Sequence, residues 1–404
     1  MPLKHIDLAV TVQDRYHSRK WKTRDACLMM SLPNMLLIGS AGRDAGKTEF
    51  AAALIGHLAP RTGLIGVKAT VIRRNDGSCP RGGRGCGVCS SLRGPYEITA
   101  ETSCDSGKDT SRLLAAGAER VFWLRVRQDS MAEGVRALLD TAGREALLVC
   151  ESNSLRHAVK PGLFIMVRRI NQPFKQSAAA VRCWADRIVT SDGERFDLDI
   201  DTIRPGGGRW ALMEDAAAIV LAGGRSGRMK QDKSLLRIGG QTMIERVCGQ
   251  LRNDFRDVLV VADAAEKYSF LGLRVVRDRI QGCGPLMGIA TGLEESPRDL
   301  NLVVACDMPE LDISLAHRML GLARDRDIVV PRSADGLPEP LFAVYRKSVA
   351  AQADHLLASG ERRIRPLFDH CRTGYVDLED GQEVLNLNTR EDLAAYVGAT
   401  VDII

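Results

Sequence analysis

One local grammar occurs twice in this chain, and it constrains the fold more than any other feature. An apolar strand runs into a glycine-rich loop, and the loop leads to a helix. The first copy is Met35-Leu36-Leu37-Ile38, then a loop to Gly46-Lys47-Thr48, then a helix through His57 in which Phe50, Leu54 and Leu58 recur every fourth residue. The second is Ala218-Ile219-Val220-Leu221, a loop through Met229, and a later helix with Met243, Ile244, Val247 and Leu251 on one face. Apolar residues at that spacing mark the buried side of a helix. Short buried strands alternating with such helices build α/β domains with largely parallel sheets. Val258–Val261, Leu302–Ala305, Ile328–Val330 and Leu341–Tyr345 are further strand candidates.

The 404 residues suffice for two cores. Between the two copies stands Pro205-Gly206-Gly207-Gly208-Arg209, a linker or an exposed turn. The expected organisation is therefore a domain over 35–208 and another over 215–404. Residues 1–34, polar and basic, read as a poorly ordered tail. A net charge of +5 suits an enzyme that handles phosphates and gives no case for DNA or RNA as partner. Eleven cysteines in a chain this long do not form a secreted disulfide framework. No signal peptide is legible, and no apolar run reaches the ~18–20 residues that span a membrane. The expectation is a cytoplasmic protein without membrane or nucleic-acid partners.

The second copy carries the denser chemistry. Leu221-Ala222-Gly223-Gly224-Arg225-Ser226-Gly227-Arg228-Met229 leaves a strand end. Its glycines let backbone amides approach phosphate oxygens. Arg225 and Arg228 add forked donors, and Lys233, just after Asp232, adds a point charge. Asp278 follows the apolar pair Val275-Val276, Gly284-Pro285-Leu286-Met287-Gly288 opens a helix, and Asp307 closes the strand Leu302–Cys306. Ligands of open α/β sheets sit outside the carboxyl ends of strands. Asp307 there suits Mg²⁺, a hard cation that favours carboxylate and phosphate oxygens. A helix cap is the plainer use of such an Asp.

Together with Cys306-Asp307-Met308-Pro309, Glu339-Pro340-Leu341-Phe342-Ala343-Val344-Tyr345 and Asn386-Leu387-Asn388-Thr389, this ordered set resembles the molybdenum cofactor guanylyltransferase family (MobA-type) over essentially all of 215–404. The resemblance implies a Rossmann-like nucleotidyltransferase fold (GT-A-like) and transfer of GMP from GTP to molybdopterin, with release of pyrophosphate. It implies that Leu221, Ala222, Gly223 and Asp278 bind the guanine nucleotide, that Lys233 meets its phosphates and that Asp307 carries Mg²⁺. Gly224 and Arg228 fall in the signature loop, while Asn386 and Asn388 fall where the family places residues important for activity. The family often has an Asn at the end of the second strand, where Asp263 follows Val260-Val261-Ala262. The related cytidylyltransferases tend to carry Ala-Ala-Gly where this chain has Ala222-Gly223-Gly224, so guanine is the expected base.

In the first copy, Ala41-Gly42-Arg43-Asp44-Ala45-Gly46-Lys47-Thr48 fits a relaxed Walker A pattern, with Ala in place of the first Gly. Lys47 would reach β/γ-phosphates and Thr48 would ligate Mg²⁺. Glu151, after Leu147–Cys150, is either the acid that orients the ion or a structural cap. With Gly107–Arg112, the loop resembles the molybdopterin-guanine dinucleotide biosynthesis adaptor family (MobB-type), small P-loop GTP-binding proteins, over about 35–205. That resemblance implies a P-loop NTPase-like first domain, with molybdoenzyme apoproteins or chaperones as further partners. The relaxed loop and Ser152-Asn153 depart from the usual pattern.

An insertion over about 75–105 interrupts this resemblance. Cys79, Cys86 and Cys89 are spaced Cys-x6-Cys-x2-Cys, with Cys104 further on. Gly85 and Gly87 would permit the tight turn of a metal knuckle. Structural Zn²⁺, an Fe–S cluster and unligated thiols in a flexible loop all remain open.

Overall fold

The computed structural model describes residues 29–72, 92–222, 232–333, 335–378, 382–387, 389 and 392–396. The chain divides into two compact units, one of Met1–Ile200 with Gly207–Trp210, the other of Asp201–Gly206 with Ala211–Ile404.

The first unit contains β1 (Met30–Ser40), α1 (Lys47–Leu58), β2 (Ile65–Ile72), β3 (Tyr96–Ala100), α2 (Asp109–Ala115), β4 (Arg120–Arg127), α3 (Met131–Ala142), β5 (Leu148–Glu151), β6 (Val159–Arg169), α4 (Gln176–Ala179) and β7 (Arg187–Ser191). Its strands form one sheet in the order β3-β4-β2-β5-β1-β6-β7. All pairs are parallel except β3 with β4. The expected periodicity of α1 holds, for Phe50, Leu54 and Leu58 are all buried. β1 begins five residues before the expected strand, inside the stretch read as a tail. Met30–Leu32 pair with Val159–Pro161 of β6, and buried Leu32 anchors them. Two apolar side chains and a free strand edge outweigh the polar neighbours that suggested disorder.

Gly207 and Gly208, at φ 59° and 74°, form the turn between β8 (Ile203–Gly206) and β9 (Arg209–Leu212). Of the two readings of the glycine run, a turn is therefore the one realised, because consecutive positive φ values suit a two-residue hairpin loop.

The second unit follows with β10 (Glu214–Leu221), β11 (Arg237–Ile238), β12 (Gln241–Thr242), α5 (Met243–Leu251), β13 (Phe255–Ala262), β14 (Arg274–Arg277), α6 (Pro285–Glu295), β15 (Leu300–Ala305), α7 (Ile313–Leu322), β16 (Ile328–Arg332), β17 (Phe342–Arg346), α8 (Val349–Ala358), α9 (Leu367–His370) and β18 (Thr373–Asp377). Its sheet runs β14-β13-β10-β15-β17-β16-β18. β14, β13, β10 and β15 are parallel neighbours, whereas β17 is antiparallel to both β15 and β16. The sheet is thus largely parallel, as expected, with β17 as its one antiparallel member among the described strands.

Alternate residues of β10 feed opposite faces, as the pleat requires. Ala218 and Val220 pack with Ile244 and Val247 of α5 and with Leu315 and Met319 of α7. Ala217, Ile219 and Leu221 pack with Leu286, Ile289 and Leu293 of α6. Each fully buried aliphatic side chain contributes ~1.5–3 kcal/mol. β10 is therefore held from both sides, and its carboxyl end is a rigid platform. No helix among the described residues is long and apolar enough to cross a membrane.

Candidate active site

The second unit gathers its polar groups at the carboxyl ends of β10, β14 and β15. The Leu221 carbonyl accepts the Cys306 amide at 3.1 Å, and the Ala222 amide donates to the Val261 carbonyl at 2.8 Å. The glycine-rich loop therefore departs from a fixed point. Gly223, Gly224 and Arg228 lie outside the described residues.

Asp307 stands two residues past β15, and its Oδ2 is 3.4 Å from Lys233 Nζ. Lys233 opens a single 3-10 turn, Lys233–Leu235. Asp232 caps that turn, accepting the Ser234 amide at 3.1 Å and the Ser234 hydroxyl at 2.6 Å, while Lys267 bonds its other oxygen. Burial works to raise the Asp232 carboxyl, but the bonds from Lys267 and Ser234 prevail and hold it below the ordinary range. Asp232 is thus committed to the turn that aims Lys233 at Asp307.

The Asp307 carbonyl accepts the Leu387 amide at 3.0 Å, which brings the distant Asn386 to the same strand end. Leu387 is buried with Ile238, Met243 and Tyr396. The Tyr396 hydroxyl donates to Glu310 at 2.8 Å and accepts Arg246 at 3.0 Å. Asn386 Nδ2 donates to the Val384 carbonyl at 3.3 Å. Asn388 lies outside the described residues. The Glu339–Tyr345 segment joins here too, through the Ala305 amide on the Leu341 carbonyl at 3.0 Å.

On the other flank, Asp278 follows β14 and its amide donates to the Ala262 carbonyl at 3.1 Å. Its Oδ1 is buried without a hydrogen-bond partner. Burial, and then the neighbouring Asp263 charge, push the Asp278 carboxyl up to about 6. Gly288 of α6 completes this corner, where a Cβ would lie 3.2 Å from Leu221 Cδ2 and 3.8 Å from Asp278 Oδ1. A side chain there would press on Leu221 and come into contact with the Asp278 carboxylate.

Two contacts of this flank escaped sequence reasoning. Asp263 accepts the Gly282 amide at 3.4 Å, and Arg362 Nη1 donates to the Gly282 carbonyl at 3.2 Å. Both strap the 279–284 loop, and the signal for Arg362 was only a basic run, Arg362-Arg363, far along the chain. Among the described residues no group of three or more His, Cys, Asp or Glu could hold a metal by itself. Asp307 beside Lys233 still fits Mg²⁺, which takes one or two carboxylates and completes its shell with phosphate oxygens and water.

The comparisons with known proteins fall on this half. The MobA-like NTP transferase domain model matches residues 218–374. A probable molybdenum cofactor guanylyltransferase of Pelotomaculum thermopropionicum is 38% identical over 188 residues, which are 45% of this chain and 91% of the relative. The molybdenum cofactor guanylyltransferase of Vibrio cholerae is 32% identical over 186 residues, 45% of this chain and 91% of its own. The chain belongs to the molybdenum cofactor guanylyltransferase family. A solved structure, the molybdopterin-guanine dinucleotide biosynthesis protein A of Archaeoglobus fulgidus, is 23% identical with a TM-score of 0.41, covering 46% of this chain and 99% of that one.

This guanylyltransferase-family chain has a second polar centre in its first unit. α1 starts at Lys47 after Gly46, whose φ of 87° only glycine adopts without strain. Thr48 Oγ1 donates to Glu151 Oε2 at 3.2 Å, and Lys47 Nζ is 3.8 Å from the same oxygen. Glu151 is 1% exposed, and its Oε1 has no hydrogen-bond partner. Burial raises its carboxyl above the ordinary range, although Lys47, Lys68 and Thr48 pull the other way. Lys175 is crowded by Lys47 and Arg43, and burial and those two charges lower its pKa. Phe196 packs edge-on to Phe50, with ring centroids 5.0 Å apart. Lys175 and Phe196 had no sequence signal.

Of the cysteine set, Cys104 is exposed. Cys79, Cys86 and Cys89 lie outside the described residues.

Proposed function

We propose that this chain transfers GMP from GTP to molybdopterin, giving the guanine dinucleotide cofactor and pyrophosphate. The observation that carries this reading is the meeting of Lys233, Asp307 and the Asn386–Leu387 segment at one strand end, across from the unpartnered oxygen of Asp278. Lys233 supplies positive charge to the triphosphate, as the reaction requires when charge spreads over the phosphates. Asp307 would hold Mg²⁺, which when bound neutralises phosphate charge. Asp278, whose Oδ1 has no partner, would accept a hydrogen bond from a donor of the nucleoside, and Gly288 lets α6 pack closely against Leu221 beside it. The terminal phosphate of molybdopterin attacks the α-phosphorus, the bond from that phosphorus to the bridging oxygen breaks, and pyrophosphate leaves. No protein atom forms a covalent bond, so positioning supplies much of the acceleration. The test is to incubate purified protein with molybdopterin, MgCl₂ and either GTP or CTP. Guanine dinucleotide and pyrophosphate are expected with GTP. Equal turnover of CTP would overturn the guanine assignment in favour of the cytosine form of the cofactor.

The same proposal gives the first unit a P-loop nucleotide site of the MobB type, taking GTP with Mg²⁺. It is supported by the Lys47–Thr48–Glu151 arrangement at a twelve-residue helix. Helix N-termini favour anions, and a buried carboxylate beside a threonine hydroxyl suits a hard cation. Such a unit would serve as an adaptor toward a molybdoenzyme apoprotein or chaperone.

A further inference from the structure

β1 and β5 pair in parallel up to Ile38 opposite Glu151, and the Ser152 amide adds one more rung on the Ile38 carbonyl at 3.1 Å. Past that point the two backbones separate. Asn153 turns to φ −86° and ψ −45°, and the 3-10 turn Ser154–His157 carries the chain away. Ser40, the last residue of β1 and the entry to the Gly42–Gly46 loop, is buried and would be left with an unpaired amide and carbonyl on its β5 side. The Asn153 side chain fills both places. Its Oδ1 accepts the Ser40 amide at 2.7 Å, and its Nδ2 donates to the Ser40 carbonyl at 2.8 Å. A primary amide offers one donor and one acceptor side by side, as a strand residue does, so it continues the ladder without a strand. Gly39 is matched to this contact, because a Cβ there would stand 2.9 Å from Asn153 Oδ1. On the other side the loop entry is held by the Ala41 amide on the Val167 carbonyl at 2.8 Å and the Lys175 amide on the Ala41 carbonyl at 2.9 Å.

We infer that Asn153 is a positioning residue for the nucleotide site of the first unit: its amide fixes the entry of the phosphate loop two residues from Glu151, so that loop and carboxylate address one phosphate-bound cation together. The inference rests on the P-loop reading given above. The Ser152-Asn153 pair, which departs from the pattern of related adaptors, is then part of how this chain builds the site.

The test is GTP binding to the full-length protein with Mg²⁺, counted per chain by isothermal titration, alongside thermal unfolding of each variant. Wild type should show two sites and Lys47→Ala one. Asn153→Ala strands the buried Ser40 amide, and should weaken only the site that Lys47→Ala removes, by about tenfold or more, the factor set by ~1.4 kcal/mol. Asn153→Asp keeps the acceptor but sets a carboxylate against the Ser40 carbonyl, and should weaken it further. Asn153→Ser, whose hydroxyl is one bond shorter than the amide arm and stops short of the Ser40 amide, should be about as weak as Asn153→Ala. Should Asn153→Ala not fold, the near-isosteric Asp variant and the Ser variant decide. Folded Asn153 variants with wild-type affinity at a site that Lys47→Ala abolishes would overturn the positioning role. Two sites persisting in Lys47→Ala would overturn the P-loop reading itself, and the inference with it.

Discussion

His317 offers the most quantitative check on the second unit. It is 2% exposed in α7, with Nδ1 2.7 Å from Glu214 at the start of β10 and Nε2 3.3 Å from Asp254 just before β13. Burial alone would drive the imidazole toward neutrality. The hydrogen bonds to Asp254 and Glu214 win, and push it from 6.5 up to about 10. A group whose pKa is raised by folding contributes stability that is fully present below its unfolded value and lost as pH rises through its folded value. The window is therefore pH 6.5 to about 10. Within it the slope is ~1.4 kcal/mol per pH unit, so the unit should lose ~3 kcal/mol between pH 7 and pH 9. Against a typical total of ~5–15 kcal/mol, that loss is measurable. His317→Gln removes the charge and leaves two buried carboxylates, which should cost ~3–5 kcal/mol at neutral pH. It should also flatten the slope. All four tryptophans precede Ala211. Tryptophan fluorescence therefore follows the first unit, and urea unfolding should be read by far-UV circular dichroism, with fluorescence to subtract that unit. Groups remote from His317, Glu214 and Asp254 titrate alike in both proteins and cancel in the difference. Equal pH slopes for wild type and His317→Gln would refute the reasoning, because the charged triad would then contribute nothing that depends on the histidine proton.

Asp307→Ala should lower guanylyl transfer by ~10²–10³ while circular dichroism stays native, since its side chain faces Lys233 rather than the core; normal turnover by the folded variant would remove Asp307 from the proposed mechanism. Elemental analysis of anaerobically purified protein should find about one Zn²⁺ per chain if Cys79, Cys86, Cys89 and Cys104 close a four-thiolate site. Absence of both zinc and iron, with all four thiols freely reactive, would leave the insertion without a metal.

What the sequence determined by itself is local and periodic. The apolar run Ala218–Leu221 and the four-residue spacing of Phe50, Leu54 and Leu58 follow from propensity and burial alone, and both elements form where that pattern falls. The placement of Lys233, Asp278 and Asp307 at strand ends or turns was legible too, because each stands beside a strong strand or turn signal. Tertiary structure decided what depends on partners far along the chain. Met30–Leu32 become strand only because Val159–Pro161 offer a free edge. β17 reverses direction against β15, which no period-two pattern encodes. Asn386 reaches the strand end through the bond of Leu387 to a carbonyl eighty residues earlier in sequence. Asn153 looked like a departure from a motif until its amide was seen to take the place of a missing strand rung beside Ser40. The physical reason is the same in each case. A backbone or side-chain hydrogen-bonding group must be satisfied somewhere once it is buried, but which distant group satisfies it is settled only when the chain packs.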